Sequence, residues 1–357
     1  MTSNRIVPAY EAPSSKELSF LYPFSAFSTL NFVNCFASVY LYLEGYEEED
    51  DYDCSSREGG NCIGCEHCED SAASKQEALF FLFGTMSGDT ALREGYSERI
   101  PLQDEICDTD EQIEFIMKFV GYAYRKVTDN FKDAIIRSIH TDKPVLVRMK
   151  DSDRGSFRVI TGYDETGLIC PKAADAQKEP DCAPTYEEID CLYVMGEKGK
   201  PVYRLLDGLK RIERVMAFNQ EARLWDGYIE RFDYWNEKLG GLELEQLRER
   251  FQRVSDTMWV TFNTHNFAET FRQSMWPGMQ NERLAPAFDR ISLAYDLTHT
   301  RAWQLISLHG CRDWSKRRDE ELEWGMCATA MMILESIRDN DEQVFAAIQE
   351  AISILER

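Results

Sequence analysis

The N-terminal part of the chain carries apolar residues at the intervals of three and four that are typical of amphipathic helices. In residues 36–43, one helical face carries Phe36, Val39, Tyr40 and Leu43. The same spacing recurs in three later segments, 76–88, 110–127 and 130–140. We therefore predict a helix over each of these four segments.

After Pro144 the apolar residues occur in short runs separated by turn sequences, which is typical of strands. These runs are PVLVRM (144–149), FRVITGY (157–163), GLIC (167–170), LYVMG (192–196) and PVYRLL (201–206). The DETG sequence at 164–167 predicts a tight turn between two of the strands. The sheet is therefore expected to be at least partly antiparallel.

Beyond residue 207 the pattern returns to helical periodicity and turn signals are few. This predicts an α+β domain over residues 1–206, with a cysteine-rich loop at 54–68, followed by an all-helical bundle over 207–357. A chain of 357 residues is long enough for two such domains.

The charge of the chain narrows the choice of partners. It has 63 acidic and 40 basic residues, hence a net charge of −23 at pH 7. This excess of negative charge repels nucleic acid and anionic lipid surfaces. No apolar run is long enough to span a bilayer, and the N-terminus lacks the layout of a signal peptide. We predict a cytoplasmic protein that binds neither nucleic acid nor membrane; its oligomeric state is left open.

Cys35 lies near the start of the first predicted helix, in the sequence NFVNCFASVYLYLEG (31–45). A helix N-terminus stabilises a thiolate, so Cys35 is a candidate nucleophile. The alternative is a small buried hydrophobe. Asn31 and Asn34 could donate hydrogen bonds to an oxyanion, or they could simply cap the helix.

Two features together resemble the papain-like cysteine peptidases, and in particular the peptidases that remove double-glycine leaders from bacteriocins. They are the early cysteine helix and the segment DKPVLVRMKDSDRGSFRVITGYDETGLICP (142–171). In that family a histidine opens the second strand of this segment, and an aspartate precedes the final proline. The resemblance implies a papain-like fold for the first domain.

The chain departs from the family pattern at both supporting catalytic positions. Ser156 or Phe157 stands where the histidine is expected, and Cys170 stands where the aspartate is expected. A hydroxyl or phenyl group cannot accept a thiol proton near neutral pH, and a neutral thiol cannot orient an imidazole as a carboxylate does. The site is therefore predicted to be degenerate, unless a histidine from the helical half reaches Cys35.

Four cysteines cluster between the first two helices. Cys54, Cys62, Cys65 and Cys68 have the spacing C-x7-C-x2-C-x2-C, and neighbouring glycines permit tight turns. Four thiolates suit a tetrahedral structural zinc site, with His67 as a possible substitute ligand. An iron–sulfur cluster, or free thiols and disulfides without metal, remain alternatives.

The helical half contains all seven tryptophans, and WDGYIERFDYW (225–235) places aromatic residues on one helix face. This stripe predicts either core packing or the wall of a ligand pocket. A papain-like domain followed by a helical domain also resembles the architecture of the butirosin biosynthesis protein H family, which are acyltransferases.

Three functional hypotheses follow. The first is a papain-like protein with a degenerate active site that binds a peptide or small molecule. The second is an active cysteine peptidase, amidase or acyltransferase that uses a histidine from the helical domain. The third is a metal-stabilised interaction protein.

Overall fold

A computed structural model describes residues 14–19, 31–46, 72–88, 109–150, 157–171, 184–238, 268, 270–272, 276–308 and 324–357. Its helices and strands are, in chain order, β1 (Lys16–Glu17), α1 (Asn31–Leu43), α2 (Ala72–Met86), α3 (Thr109–Val120), β2 (Tyr122–Val127), α4 (Phe131–His140), β3 (Val145–Met149), β4 (Phe157–Ile160), β5 (Gly162–Tyr163), β6 (Leu168–Ile169), a 3₁₀ turn (Tyr186–Glu188), β7 (Ile189–Lys198), α5 (Leu205–Glu221), α6 (Leu224–Lys238), α7 (Ala285–Leu308) and α8 (Trp324–Leu355). The fold is a mixed α+β fold with antiparallel sheets.

The chain forms two compact units. The first comprises residues 1–77 and 122–200, and the second comprises 78–121 and 201–357. The first unit holds the strands, whereas the described part of the second is helices and turns. The division into domains 1–206 and 207–357 stays a prediction.

The first unit contains two antiparallel sheets. The larger has the strand order β2-β7-β3-β4, and the smaller has the order β1-β5-β6. The β5–β6 pair is the predicted hairpin, with Tyr163 opposite Leu168. The side chain of Asp164 accepts hydrogen bonds from the backbone N–H groups of Thr166 (2.7 Å) and Gly167 (3.0 Å), which fixes the turn. The prediction of an antiparallel sheet is confirmed.

Helix α1 packs against β4. The side chains described from Phe32 to Val39 are all buried, so the helix lies within the core of the first unit. The ring of Phe32 meets the ring of Phe157 edge to face, with the centroids 5.3 Å apart. This contact places the start of α1 beside the first residue of β4.

The helix predicted over 110–127 is wrong in its second half. Helix α3 ends at Val120, and Gly121 adopts a φ of 85°, a left-handed conformation that glycine tolerates best. Residues 122–127 then form β2, which pairs with β7. Pairing with β7 satisfies the backbone of this segment, so tertiary contacts override the helical pattern.

The strand predicted over PVYRLL (201–206) is also wrong. The backbone N–H of Val202 donates to the carbonyl oxygen of Lys118, and α5 begins at Leu205. The carboxylate of Asp207 accepts a hydrogen bond of 2.8 Å from the backbone N–H of Arg204. This side-chain cap favours a helix start at the place where a strand was expected.

The second unit is built around long helices. Helices α7 and α8 pack along each other, and α8 also packs against α5 and α6. Trp276, in the turn before α7, stacks on Phe119 of α3 with the ring centroids 4.6 Å apart. Among the residues that the structure describes, no helix combines the length and apolar character needed to cross a membrane.

Candidate functional site

Cys35 lies one turn into α1 and is buried, with 4% of its surface exposed. Burial raises the pKa of its thiol to about 12, because a thiolate loses its hydration there. The charge of Arg158 lowers that pKa and an interaction with Cys170 raises it, but both effects are smaller than that of burial. The sequence left open a nucleophile with a lowered thiol pKa and a small buried hydrophobe; the burial of Cys35 and its raised pKa agree with the second.

Phe157 occupies the first position of β4, where the family pattern places the base. Its side chain is 1% exposed. The ring packs against Phe32 and lies 6.1 Å from the ring of Tyr193, centroid to centroid. This position is therefore apolar and closely packed. Ser156, the other candidate position for the base, lies outside the described residues.

Cys170 directly follows β6, where the family pattern places the orienting aspartate. It is half-buried and packs against the core cluster that contains Leu18, Tyr163 and Ile189. Its thiol interacts electrostatically with Cys35. The structure therefore brings Cys35 and Cys170 close enough to interact, and Phe157 packs on α1 through Phe32. The catalytic assignment of these three positions stays a prediction.

Of the two asparagines proposed as oxyanion donors, the structure describes the side chain of one. Asn31 begins α1, and its side chain lies outside the described atoms. Asn34 is 6% exposed, and its amide oxygen has no hydrogen-bond partner among the described residues. Their role as oxyanion donors stays a prediction.

His140 ends α4 and was assigned no role from the sequence. Its Nε2 atom lies 2.7 Å from the hydroxyl of Tyr163, a residue of β5 in the smaller sheet. The adjacent backbone is held by Lys16, which forms an ion pair of 2.6 Å with Asp142. This environment is that of a hydrogen-bonded structural histidine.

The cysteines proposed as zinc ligands, Cys54, Cys62, Cys65 and Cys68, lie outside the described residues. Within the described ranges, no group of three or more His, Cys, Asp or Glu side chains is placed to hold a metal ion. The zinc site stays a prediction.

A cavity of about 450 Å³ lies in the second unit, between α5, α6 and α8. It is lined by Met216, Asn219, Gln220, Arg223, Leu224, Trp225, Asp226, Arg338, Asp341, Glu342 and Phe345. The indole N–H of Trp225 donates a 2.8 Å hydrogen bond to the Asp341 carboxylate in its wall. The sequence did not predict the charged wall of this cavity. Its charged residues come from helices that are far apart along the chain; Arg338 and Asp226, for example, are separated by 112 residues.

The aromatic stripe of α6 is divided between core and cavity. Tyr228 and Phe232 are 1% and 0% exposed, so they are core residues. Trp225 lines the cavity. The side chain of Trp235 is outside the described part of the helix. The core reading therefore holds for Tyr228 and Phe232, and the reading as the wall of a ligand pocket stays a prediction, with Trp225 as the residue that lines the cavity.

No protein-family model matches the chain, and a search of curated proteins finds no match. The resemblance to papain-like enzymes therefore depends on the residues of this chain alone. The geometry around Cys35 and around the cavity carries the functional conclusions.

Proposed function

We propose that the chain is a papain-like protein with a degenerate active site, in which Cys35 has lost its catalytic role and the former cleft binds a peptide or small molecule. The observation that carries this proposal is the burial of the Cys35 thiol, whose pKa is raised to about 12. At pH 7 such a thiol is ionised to the extent of roughly 10⁻⁵, and the thiolate is the nucleophilic form.

The residue at the position of the base supports the same proposal. The Phe157 ring is buried between Phe32 and Tyr193, and it cannot accept a proton. A nucleophilic cysteine needs a base within hydrogen-bond reach, or a cationic partner that lowers its pKa. A phenyl ring supplies neither.

The arrangement of α1 supports the papain-like part of the proposal. The cysteine helix packs against β4, in the antiparallel sheet that follows it along the chain. This is the layout that the resemblance implies for an N-terminal cysteine helix and the strand that carries the base. Cys170 then falls at the end of the next hairpin, at the third position of the pattern.

A second candidate is the active cysteine enzyme, and Arg158 is the observation that favours it. The positive charge of Arg158 lowers the pKa of the Cys35 thiol, although less than burial raises it. A ligand or histidine that entered this region could add to the effect of Arg158. The two candidates differ in the reactivity that they assign to Cys35.

Alkylation with iodoacetamide near pH 7, followed by mass spectrometry of the cysteine peptides, separates them. Cys327 is the matched control, because it is also buried and its pKa is raised to about 11. We expect Cys35 to react no faster than Cys327. Rapid, acid-sensitive alkylation of Cys35 would reject the degenerate site and favour the enzyme.

Binding is tested with a fluorescein-labelled synthetic peptide that ends in Gly-Gly, since the resemblance is to double-glycine leader peptidases. We expect the peptide to bind and stay intact, with the same affinity for the wild type and for Cys35→Ser. Cleavage after Gly-Gly that disappears in Cys35→Ser would establish the enzyme instead. Absence of binding would reject a double-glycine peptide as the ligand.

A further inference from the structure

The cavity between α5, α6 and α8 has charged groups of both signs in its wall. Arg223 and Arg338 supply two positive charges, and Asp226, Asp341 and Glu342 supply three negative ones. We propose that this cavity binds a free α-amino acid with a large apolar side chain. The proposal concerns the second unit alone and does not depend on the proposed function of the first.

The cationic side is formed by two guanidinium groups around one carboxylate. Arg223 Nε and Arg338 Nη1 each donate a 2.9 Å hydrogen bond to Asp226, one to each carboxylate oxygen. Each guanidinium has five N–H donors, so both retain donors for a ligand carboxylate.

Arg338 also interacts electrostatically with Glu342, and the remaining contacts of the two arginines are exposed and weak. Arg223 Nη2 lies 3.3 Å from Glu230, and Arg338 Nη2 lies 3.6 Å from Asp339. The Arg223, Glu230 and Asp339 side chains are 66%, 68% and 62% exposed, so these pairs contribute little. The backbone of Arg223, at the corner between α5 and α6, has a φ of 49°, which is uncommon for a residue other than glycine. The left-handed corner holds this guanidinium at the mouth of the cavity.

The anionic side lies on α8. Asp341 is 7% exposed and accepts the Trp225 indole hydrogen bond. Glu342 is exposed, at the edge of the cavity. These two carboxylates provide acceptors for a ligand ammonium group.

The placement of Arg338 and Glu342 favours an α-amino acid among zwitterions. They are four residues apart on α8, a backbone rise of about 6 Å, so their side chains share one face of the helix. The ammonium and carboxylate of an α-amino acid are attached to the same carbon, so they can meet such closely spaced partners at once. The charged ends of a dipeptide are farther apart and fit this pair less well.

The remaining wall is apolar, with Trp225, Phe345 and Met216 as its largest members. Pockets for small molecules measure about 300–1,000 Å³ and are mostly apolar, with a few placed polar groups. A cavity of about 450 Å³ falls in this range. An aromatic or long aliphatic side chain would fill it better than a small one, so phenylalanine is a suitable probe.

Isothermal titration calorimetry of the full chain with phenylalanine, 2-phenylethylamine and 3-phenylpropionate tests the proposal. The amine lacks the carboxylate, and 3-phenylpropionate lacks the ammonium group. We expect phenylalanine to bind and each analogue to bind about tenfold or more weakly, because a charge-assisted pair is lost. The dipeptide Phe-Phe is expected to bind more weakly than phenylalanine. Equal binding of all the probes, no binding of phenylalanine, or tighter binding of the dipeptide would overturn the proposal.

Two variants assign the charges to residues. Glu342→Gln should weaken phenylalanine binding about tenfold and leave 3-phenylpropionate unaffected, whereas Arg223→Gln should weaken binding of phenylalanine and 3-phenylpropionate but not 2-phenylethylamine. Glu335→Gln on α8 and Arg214→Gln on α5 are matched controls outside the cavity wall. If the controls weaken binding as much as the variants, the assignment fails. Should Arg223→Gln not fold, Glu342→Gln, an exposed change, decides the test.

Discussion

The indole nitrogen of Trp225 donates a hydrogen bond of 2.8 Å to Asp341, and both side chains are more than nine-tenths buried. This bond joins α6 to α8 across the wall of the cavity. A buried carboxylate that loses a donor keeps its charge and its need for a partner. The pair therefore contributes to the stability of the helical unit as well as to the shape of the cavity.

We expect Trp225→Phe to lower the free energy of unfolding by about 2–3 kcal/mol, because the bond goes to a charged acceptor and part of the ring volume is lost. Unfolding in urea, followed by circular dichroism, measures the change. Tyr234→Phe, at an exposed position of the same helix, is the control and should leave stability unchanged. An equal loss in both variants would contradict the role of the Trp225–Asp341 bond.

The Cys35 thiol should make stability depend on alkaline pH. Its pKa is about 12 in the folded chain, above the ordinary value of 9.0, so above pH 9 the unfolded chain releases this proton first. The contribution is fully present below about pH 9 and is lost as the pH rises towards 12, at about 1.4 kcal/mol per pH unit.

Urea unfolding at pH 8, 9, 10 and 11 measures this dependence, and Cys35→Ala isolates it from the tyrosines that titrate in the same range. Burial raises the pKa of Tyr40 to about 12, so the wild-type slope alone is ambiguous. We expect the alkaline slope to be smaller in Cys35→Ala. The same slope in both proteins would show that the thiol is not buried in solution.

Truncating Phe157 to alanine should cost about 3–5 kcal/mol of unfolding free energy, because its fully buried ring leaves a cavity beside Phe32 and Tyr193. Phe157→Leu should cost less, since it fills more of the space. Denaturant unfolding of the two variants gives the comparison. A loss below about 1 kcal/mol for the alanine variant would mean that the ring is not packed as described.

The cysteine cluster predicts one zinc ion per chain, held by Cys54, Cys62, Cys65 and Cys68. Elemental analysis of the purified protein measures the metal, and removal by a chelator should lower the midpoint of thermal unfolding. Cys62→Ser should lose the metal, whereas Cys327→Ser should retain it. A protein that contains no zinc and keeps its unfolding midpoint in the chelator would reject the site.

The elements that were predicted correctly are those in which local pattern and tertiary environment agree. Residues 131–140 have alternating buried and exposed helix faces, and the Asp164 turn has its own side-chain hydrogen bonds. The segment after Gly121 has no such agreement, because its strand conformation depends on β7, which lies about 70 residues away along the chain.

The two candidate sites also differ in how much of each could be predicted from the sequence. The resemblance singled out Cys35, Phe157 and Cys170 by their spacings, and their catalytic assignment stays a prediction. The burial of the thiol was one of two alternatives that the sequence left open, and the packing of α1 against β4 decides between them. No spacing in the sequence relates Asp226 to Arg338, and only the packing of α6 on α8 brings them together.

The stacking of Trp276 on Phe119 has a practical consequence for work with fragments of this protein. A gene truncated to encode residues 201–357 would omit α3, and with it the ring that covers one face of the tryptophan. Such a fragment would display an uncovered aromatic surface and should aggregate unless residues 78–121 are supplied as a separate peptide. Complementation by that peptide would be a direct sign that the helical unit is assembled from two distant stretches of the chain.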